Sequence, residues 1–448
     1  MKARMLAYQI LLHLEQRVSY PDRLLRRMLE RHPAMDERDR ALLSEIVYGV
    51  LRWRERLDWH IDHLSSLKPR KIASSVRVLL RTGLYQILFL DRVPPHAAVH
   101  ETVEIAKNSQ PQHIVRFVNG VLREALRRAD RWEWPSEDSD PAEFLRVVTS
   151  HPKWFVERCL AYWGLEETRE ICGADNQVAP LSVRINPLRV EKSRVIEWLH
   201  ANHFDVRESP YLAGALRLGG IRRDPAQLPI HENGWIQIQD EASQMISHLV
   251  APRPGERILD LCSGFGGKST HLAILMENRG EILAVDQAAW KLEDLRENAR
   301  RHGIGIVRTL RADALEVRPE KTGTFDRVLL DAPCSGLGVV RRKPDIKWRR
   351  HPKDPYRFSV LQKALLDHAA KFVRPGGILV YATCTIFPEE NEEVAQAFQA
   401  SHEGWEILPA AEVLPEKCRS MSRGPFFRTW PHLHGVDGFF GARWKRGT

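Results

Sequence analysis

From about residue 240 the chain alternates strand-length apolar runs with helical segments, and few folds accept that alternation. The runs are Arg257-Ile258-Leu259-Asp260-Leu261, Ile282-Leu283-Ala284-Val285-Asp286, Val328-Leu329-Leu330-Asp331 and Ile378-Leu379-Val380-Tyr381. A strand that is apolar at nearly every position must be covered on both faces, which implies a parallel sheet with helices above and below. Open sheets of this kind bind ligands at the carboxyl edge of their strands. At that edge the chain places a glycine-rich turn (residues 262–268), two acids (Asp286 and Asp331) and two cysteines (Cys334 and Cys384).

The remaining sequence reads differently. At 448 residues the chain exceeds one ordinary core, so several domains are expected. Over residues 1–130, apolar side chains recur at helical spacing, as in Leu42, Leu43, Ile46, Val47 and Val50, or Val76, Leu79, Leu80 and Leu84. This predicts an all-α domain of six or seven helices, followed by an acidic, proline-bearing linker at 131–144. Residues 145–240 read as a small α+β domain, because Leu181-Ser182-Val183-Arg184-Ile185-Asn186 alternates apolar and polar. Residues 241–448 form the Rossmann-like α/β domain.

The net charge of +9 is concentrated in the first domain, where 23 Lys and Arg face 15 Asp and Glu, a net +8. A basic domain points to a polyanion, most simply nucleic acid; the bland reading is a solvated helical surface. No run of eighteen apolar residues suggests a membrane span, and the start lacks a cleavage signature, so no membrane partner and a cytoplasmic location are expected. Six cysteines without a C-x-x-C pair, and no H-E-x-x-H string, predict neither a disulfide framework nor a metal. Nothing demands an oligomer, and a monomer is the expectation.

The turn Cys262-Ser263-Gly264-Phe265-Gly266-Gly267-Lys268 lets the backbone approach a ligand, and the N–H groups of the following helix face the same place. NAD enzymes use the same device, but the spacing is not G-x-G-x-x-G. Phe372-Val373-Arg374-Pro375-Gly376-Gly377-Ile378 resembles the strand entry of S-adenosylmethionine-dependent methyltransferases. Asp286 is placed to receive ribose hydroxyls and Asp313 to reach the adenine edge; the alternative is a strand-end turn former, but an acid on all three loops favours the site reading. A thiol beside such a loop suits methylation of a pyrimidine carbon. Cytosine C5 is too weak a nucleophile unaided, and a thiolate added at C6 makes it enolate-like. That chemistry also needs a donor at N3 or N4, for which Asp331 is the candidate, and a cation such as Lys268 to favour the thiolate.

These strings together resemble the RNA cytosine-C5 methyltransferase family. Asp331-Ala332-Pro333-Cys334-Ser335-Gly336 is similar to its fourth motif, and Thr383-Cys384-Thr385-Ile386-Phe387-Pro388-Glu389-Glu390-Asn391-Glu392 to its sixth. His434-Gly435-Val436-Asp437-Gly438-Phe439-Phe440 and Gln239-Asp240-Glu241-Ala242-Ser243 resemble flanking motifs. In the helical half, Arg40 through Val50 and Phe117-Val118-Asn119-Gly120-Val121-Leu122-Arg123 look like a NusB-type RNA-binding domain. That fusion is the arrangement of the RsmB/Sun/Fmu-type subfamily, which methylates a cytosine of bacterial 16S rRNA.

The resemblance implies S-adenosyl-L-methionine as cofactor, Cys384 as nucleophile and Cys334 as an aid to product release. Spacing alone leaves the two thiols undecided. It implies a cofactor site of Cys262, Ser263, Gly264, Phe265, Gly266, Gly267, Lys268, Asp286, Asp313 and Asp331, with Lys268 and Asp331 also catalytic. The family loop usually has Ala-Ala-Pro where this chain has Ser263-Gly264-Phe265, which bears on cofactor binding. Residues 341–353, with seven Lys and Arg, one Asp and Trp348, are expected to contact RNA. Two alternatives stand beside this reading: an inactive RNA-binding assembly factor, or the same chemistry on tRNA.

Overall fold

The computed structural model describes residues 2–128, 131–219 and 225–448. They form two compact units: the chain up to Gln177 together with Val340–Arg349, and Val178–Val339 together with Arg350–Thr448.

The first unit is helical. Between Lys2 and Arg128 run the helices Lys2–Gln16, Pro21–Arg31, Glu37–Arg52, Arg54–Leu64, Ser74–Phe89, Pro95–Lys107 and Gln112–Arg128. Pro21 and Pro95 sit in first turns, where the missing N–H has no helical partner to lose. Asp36 caps its helix by accepting from Asp39 N at 2.7 Å. The periodic Leu43, Ile46, Val47, Leu79, Leu80 and Leu84 are fully buried in one core. Part of the arginine excess is structural: Arg81 pairs with Asp58 at 2.6 Å and with Glu15 at 3.1 Å, and Arg77 with Asp58 and Asp62. Helices Pro141–Val148 and Lys153–Asp175 belong to the same unit. Trp132 and Trp134, from the stretch read as a linker, pack on His60 and Trp59 with ring centroids 4.2 and 4.8 Å apart.

The basic stretch expected to meet RNA is partly an internal anchor of this unit, which corrects that expectation for two residues. Lys347 is buried, and its Nζ donates to Arg52 O (3.0 Å), Ser150 O (2.9 Å) and Asn176 Oδ1 (2.9 Å). Trp348 packs against the helical core and donates from Nε1 to Leu51 O at 2.5 Å. Three converging acceptors compensate a buried ammonium, and composition gives no sign of them. Lys347→Met is therefore expected to cost about 3 kcal/mol of stability, since it strands three buried acceptors. A thermal melt reads this, and an unchanged transition of the helical unit would refute the anchor.

The second unit contains two sheets. Strands β1 (Leu181–Ile185), β2 (Asp205–Glu208), β3 (Ala215–Gly219) and β4 (Ile236–Ile238) pair antiparallel in the order β2-β3-β1-β4. Val183, Ile185, Leu216, Leu218 and Ile236 bury one face against Val195 and Leu199 of helix Lys192–Ala201.

The larger sheet is built on β5 (Arg257–Asp260), β6 (Glu281–Asp286), β7 (Val307–Arg311), β8 (Phe325–Asp331) and β9 (Val373–Thr383), all parallel. Beyond β9 come the antiparallel β10 (Trp405–Ile407), β11 (Ser422–Arg423), β12 (Phe426–Arg428) and β13 (Phe440–Arg446). The order β11-β12-β13-β9-β8-β5-β6-β7 reverses direction between β5 and β8. A crevice opens at such a switch point, outside the carboxyl ends of the strands. Asp260, Asp286, Asp331 and Thr383 are the last residues of β5, β6, β8 and β9, so the loops carrying the polar sequence motifs start at one edge. Leu259, Val328, Leu330, Leu379 and Tyr381 are fully buried, as the apolar runs require. No helix among the described residues is long and apolar enough to cross a membrane.

Candidate active site

The glycine turn joins β5 to helix Gly267–Leu275. Gly266 holds φ +77°, and a Cβ there would come within 2.3 Å of Leu295, so only glycine fits. Ser263 N donates to Val285 O at 2.9 Å, and Gly264 N to Asp286 Oδ2 at 3.1 Å. Asp286 also accepts from Ala288 N (2.8 Å) and Lys291 Nζ (3.3 Å). Asp313 is exposed and accepts from Leu315 N at 2.9 Å, as a turn former does. Phe265 is 47% exposed and meets Trp290 edge-to-face at 5.2 Å. Cys262 lines the base of the loop, and burial pushes its thiol well up.

Asp260 is fully buried beneath this loop. Its Oδ2 accepts from Ser269 Oγ at 2.6 Å, while Oδ1 has no hydrogen-bond partner. Burial first, then the nearby Asp331 and Asp286, raise it to about 7. A carboxyl whose folded pKa lies above its unfolded value of 3.8 binds an extra proton in the fold. Stability must then fall as pH rises from about 4 to 7. Asp260→Asn is expected to remove that loss, so its advantage over the wild type in melting temperature grows from pH 5 to pH 8. An advantage independent of pH would contradict this.

Lys268 is the second residue of the helix that follows the turn. Its Nζ donates to Asp331 Oδ2 at 2.6 Å and lies 5.2 Å from the Phe439 ring centroid. Burial opposes its charge, but Asp331, together with Cys384 and Asp260, holds the ammonium above the ordinary lysine value.

The two thiols meet. Cys334 Sγ and Cys384 Sγ are 3.3 Å apart, and Cys384 N approaches Cys334 Sγ at 3.4 Å. Both are partly exposed. The adjoining Cys384, burial and the Glu390 carboxylate all push the Cys334 thiol well up. Cys384 instead interacts with the Lys268 ammonium. The surroundings of the two sulfurs are thus unequal.

Sequence reasoning missed what holds this pair. Glu390 is buried, and its carboxylate accepts from Ser335 N (2.7 Å), Ser335 Oγ (2.5 Å), Thr385 Oγ1 (3.1 Å) and Gln362 Nε2 (3.1 Å). Ser335 follows Cys334 and Thr385 follows Cys384, so one carboxylate fastens both cysteine loops. Arg350 closes the same loop from Nε to Ser335 O at 2.5 Å and from Nη2 to Cys334 O at 3.3 Å. In the smaller sheet, buried Arg184 donates to Gly267 O (3.0 Å) and Thr270 Oγ1 (3.1 Å), tying β1 to the glycine turn. The acidic string after Cys384 was visible, but an acidic run usually reads as a solvated face. Glu390→Gln replaces two acceptor oxygens with one. It is expected to slow turnover about tenfold through the lost hydrogen bonds, with little change in substrate KM. A purely raised KM would count against the clasp. Among the described residues no group of His, Cys, Asp and Glu could hold a metal.

Three family models cover most of the chain: NusB over residues 1–127, an RsmF/B-like ferredoxin-like domain over 151–222, and 16S rRNA methyltransferase RsmB/F over 247–445. The chain is 36% identical over 441 residues to the probable ribosomal RNA small subunit methyltransferase B of Bacillus subtilis (strain 168), covering 98% of this chain and 97% of that protein. The chain belongs to this methyltransferase family. Ribosomal RNA small subunit methyltransferase B of Erwinia tasmaniensis is 35% identical over 92% of this chain and 91% of its own length. The crystal structure of PH0851 aligns over 100% of this chain and 99% of that one, with a TM-score of 0.83 and 28% identity. The architecture is therefore a NusB-type helical domain, a ferredoxin-like α+β domain and a Rossmann-like methyltransferase domain. The enzyme is S-adenosyl-L-methionine-dependent.

Proposed function

We propose that this methyltransferase places its methyl group on C5 of a cytosine in small-subunit (16S) rRNA, through a covalent bond between Cys384 and C6. The observation that carries this is the 3.3 Å approach of two thiols beside the Lys268–Asp331 pair at the end of the glycine turn. Neither metal-free N-methylation nor O-methylation calls for a pair of thiols.

The pocket residues suit the cofactor. Space lies open over Gly264, where a Cβ would meet nothing within 4 Å, and Asp260 keeps an unpartnered buried oxygen below it. Residues 262–268, Asp286, Asp313 and Asp331 would hold S-adenosylmethionine, which supplies an electrophilic methyl group. Cys384, beside the Lys268 ammonium, attacks C6 as a thiolate. Asp331 faces the ring nitrogen and passes it a proton drawn from Lys268 through their hydrogen bond, so C5 gains electron density. After methylation the ring-nitrogen proton returns through Asp331 to Lys268, water takes the C5 proton, and the C6–sulfur bond breaks with its electron pair returning to Cys384. Cys334, next to the departing sulfur, assists that release.

The target base must leave its stack to expose C6, so an unpaired or distorted site suits it. Arg116, Arg123 and Arg127 lie exposed on one side of helix Gln112–Arg128 and supply cations for the RNA backbone. A monomer acting in the cytoplasm accords with this reading. The test is nucleoside mass spectrometry of 16S rRNA after reaction with labelled cofactor. 5-Methylcytosine alone supports the proposal; label on another base, or on tRNA alone, overturns it.

A further inference from the structure

We propose that Cys334 and Cys384 form an oxidant-sensitive dithiol, which a hydroperoxide converts to a reversible disulfide that closes the active site. Two partly exposed sulfurs 3.3 Å apart need move little more than about 1 Å to reach bonding distance. The backbones are already fastened side by side: Gly338 N donates to Cys384 O at 3.0 Å, and Ser335 Oγ lies 2.8 Å from Thr385 Oγ1. Parallel strands β8 and β9, in register at Asp331 and Ala382, deliver both loops to the same place. The sulfurs can therefore join by side-chain rotation, without separating the strands.

The two thiols also divide the labour that such chemistry needs. Cys384 interacts with the Lys268 ammonium, whereas the adjoining Cys384, burial and Glu390 push the Cys334 thiol well up. The Cys384 thiolate attacks the outer oxygen of the hydroperoxide. A sulfur–oxygen bond forms, the O–O bond breaks, and the alkoxide leaves as an alcohol after taking a proton, giving Cys384 sulfenic acid. Cys334 sulfur then attacks that sulfur. Its proton joins the departing hydroxide as water, and the S–S bond forms. Two thiols are oxidised by two electrons and one hydroperoxide is reduced. Cys159, Cys172 and Cys418 are buried, and burial raises each thiol.

The test uses the full-length chain, hydrogen peroxide and alkylation before digestion without reductant. A peptide joining Cys334 to Cys384, reversed by dithiothreitol, is the expected result. In Cys334→Ala the resolving sulfur is gone, so Cys384 should proceed to sulfinic acid that dithiothreitol does not reverse. A cross-link elsewhere, or sulfinic acid at Cys384 in the wild type with no cross-link, overturns the proposal. Loss of methyl transfer on oxidation, with recovery on reduction, rests on the catalytic roles proposed above. The cross-link does not, so the two failures are distinguishable.

Discussion

Cys334→Ala is expected to accumulate a covalent protein–RNA adduct that survives a denaturing gel, while methyl transfer stops after about one turnover. The reasoning rests on the positions of the sulfurs. If Cys384 carries the base at C6, the neighbour 3.3 Å away is the group that attends its departure. Removing that neighbour leaves bond formation intact and blocks bond breaking. Cys384→Ala, in contrast, removes the nucleophile and should lower turnover on the order of 10⁴-fold or more, with no adduct. The double variant should give no adduct either. An adduct that persists in Cys384→Ala and disappears in Cys334→Ala would reverse the roles of the two thiols.

Lys268→Met is expected to lower methyl transfer by about 10²-fold or more, through both partners of the ammonium. One is Asp331 at 2.6 Å, which loses its proton source. The other is Cys384, which loses the neighbouring positive charge. Alkylation of Cys384 by iodoacetamide, followed by mass spectrometry across pH, separates the two. Its rate at neutral pH should fall, and the rise with pH should move upward. An unchanged alkylation profile would place Lys268 with Asp331 alone.

The readings that held share a physical cause. A helix among helices declares itself by apolar spacing, so Leu43, Ile46, Val47, Leu79 and Leu80 announced their core before any coordinates. A two-faced sheet likewise leaves near-continuous apolar runs, and Leu259, Val328, Leu330 and Leu379 are buried as those runs require. Lys347 and Trp348 misled because composition counts charges without showing where they point. Lys347 is compensated by acceptors from three separate helical segments, at Arg52, Ser150 and Asn176.

The sequence by itself determined the order of domains, the parallel sheet and which side chains are candidates for the site, because periodicity and motif strings are local properties. Only the tertiary structure decided how those side chains act on one another. Cys334 and Cys384 are fifty positions apart and Lys268 and Asp331 sixty-three, and each pair meets because β5, β8 and β9 lie side by side at the switch point. The buried Glu390 that clasps Ser335 and Thr385 depends on the same adjacency. Hydrogen bonds and charge interactions act over a few ångströms of space, and sequence distance does not report that separation.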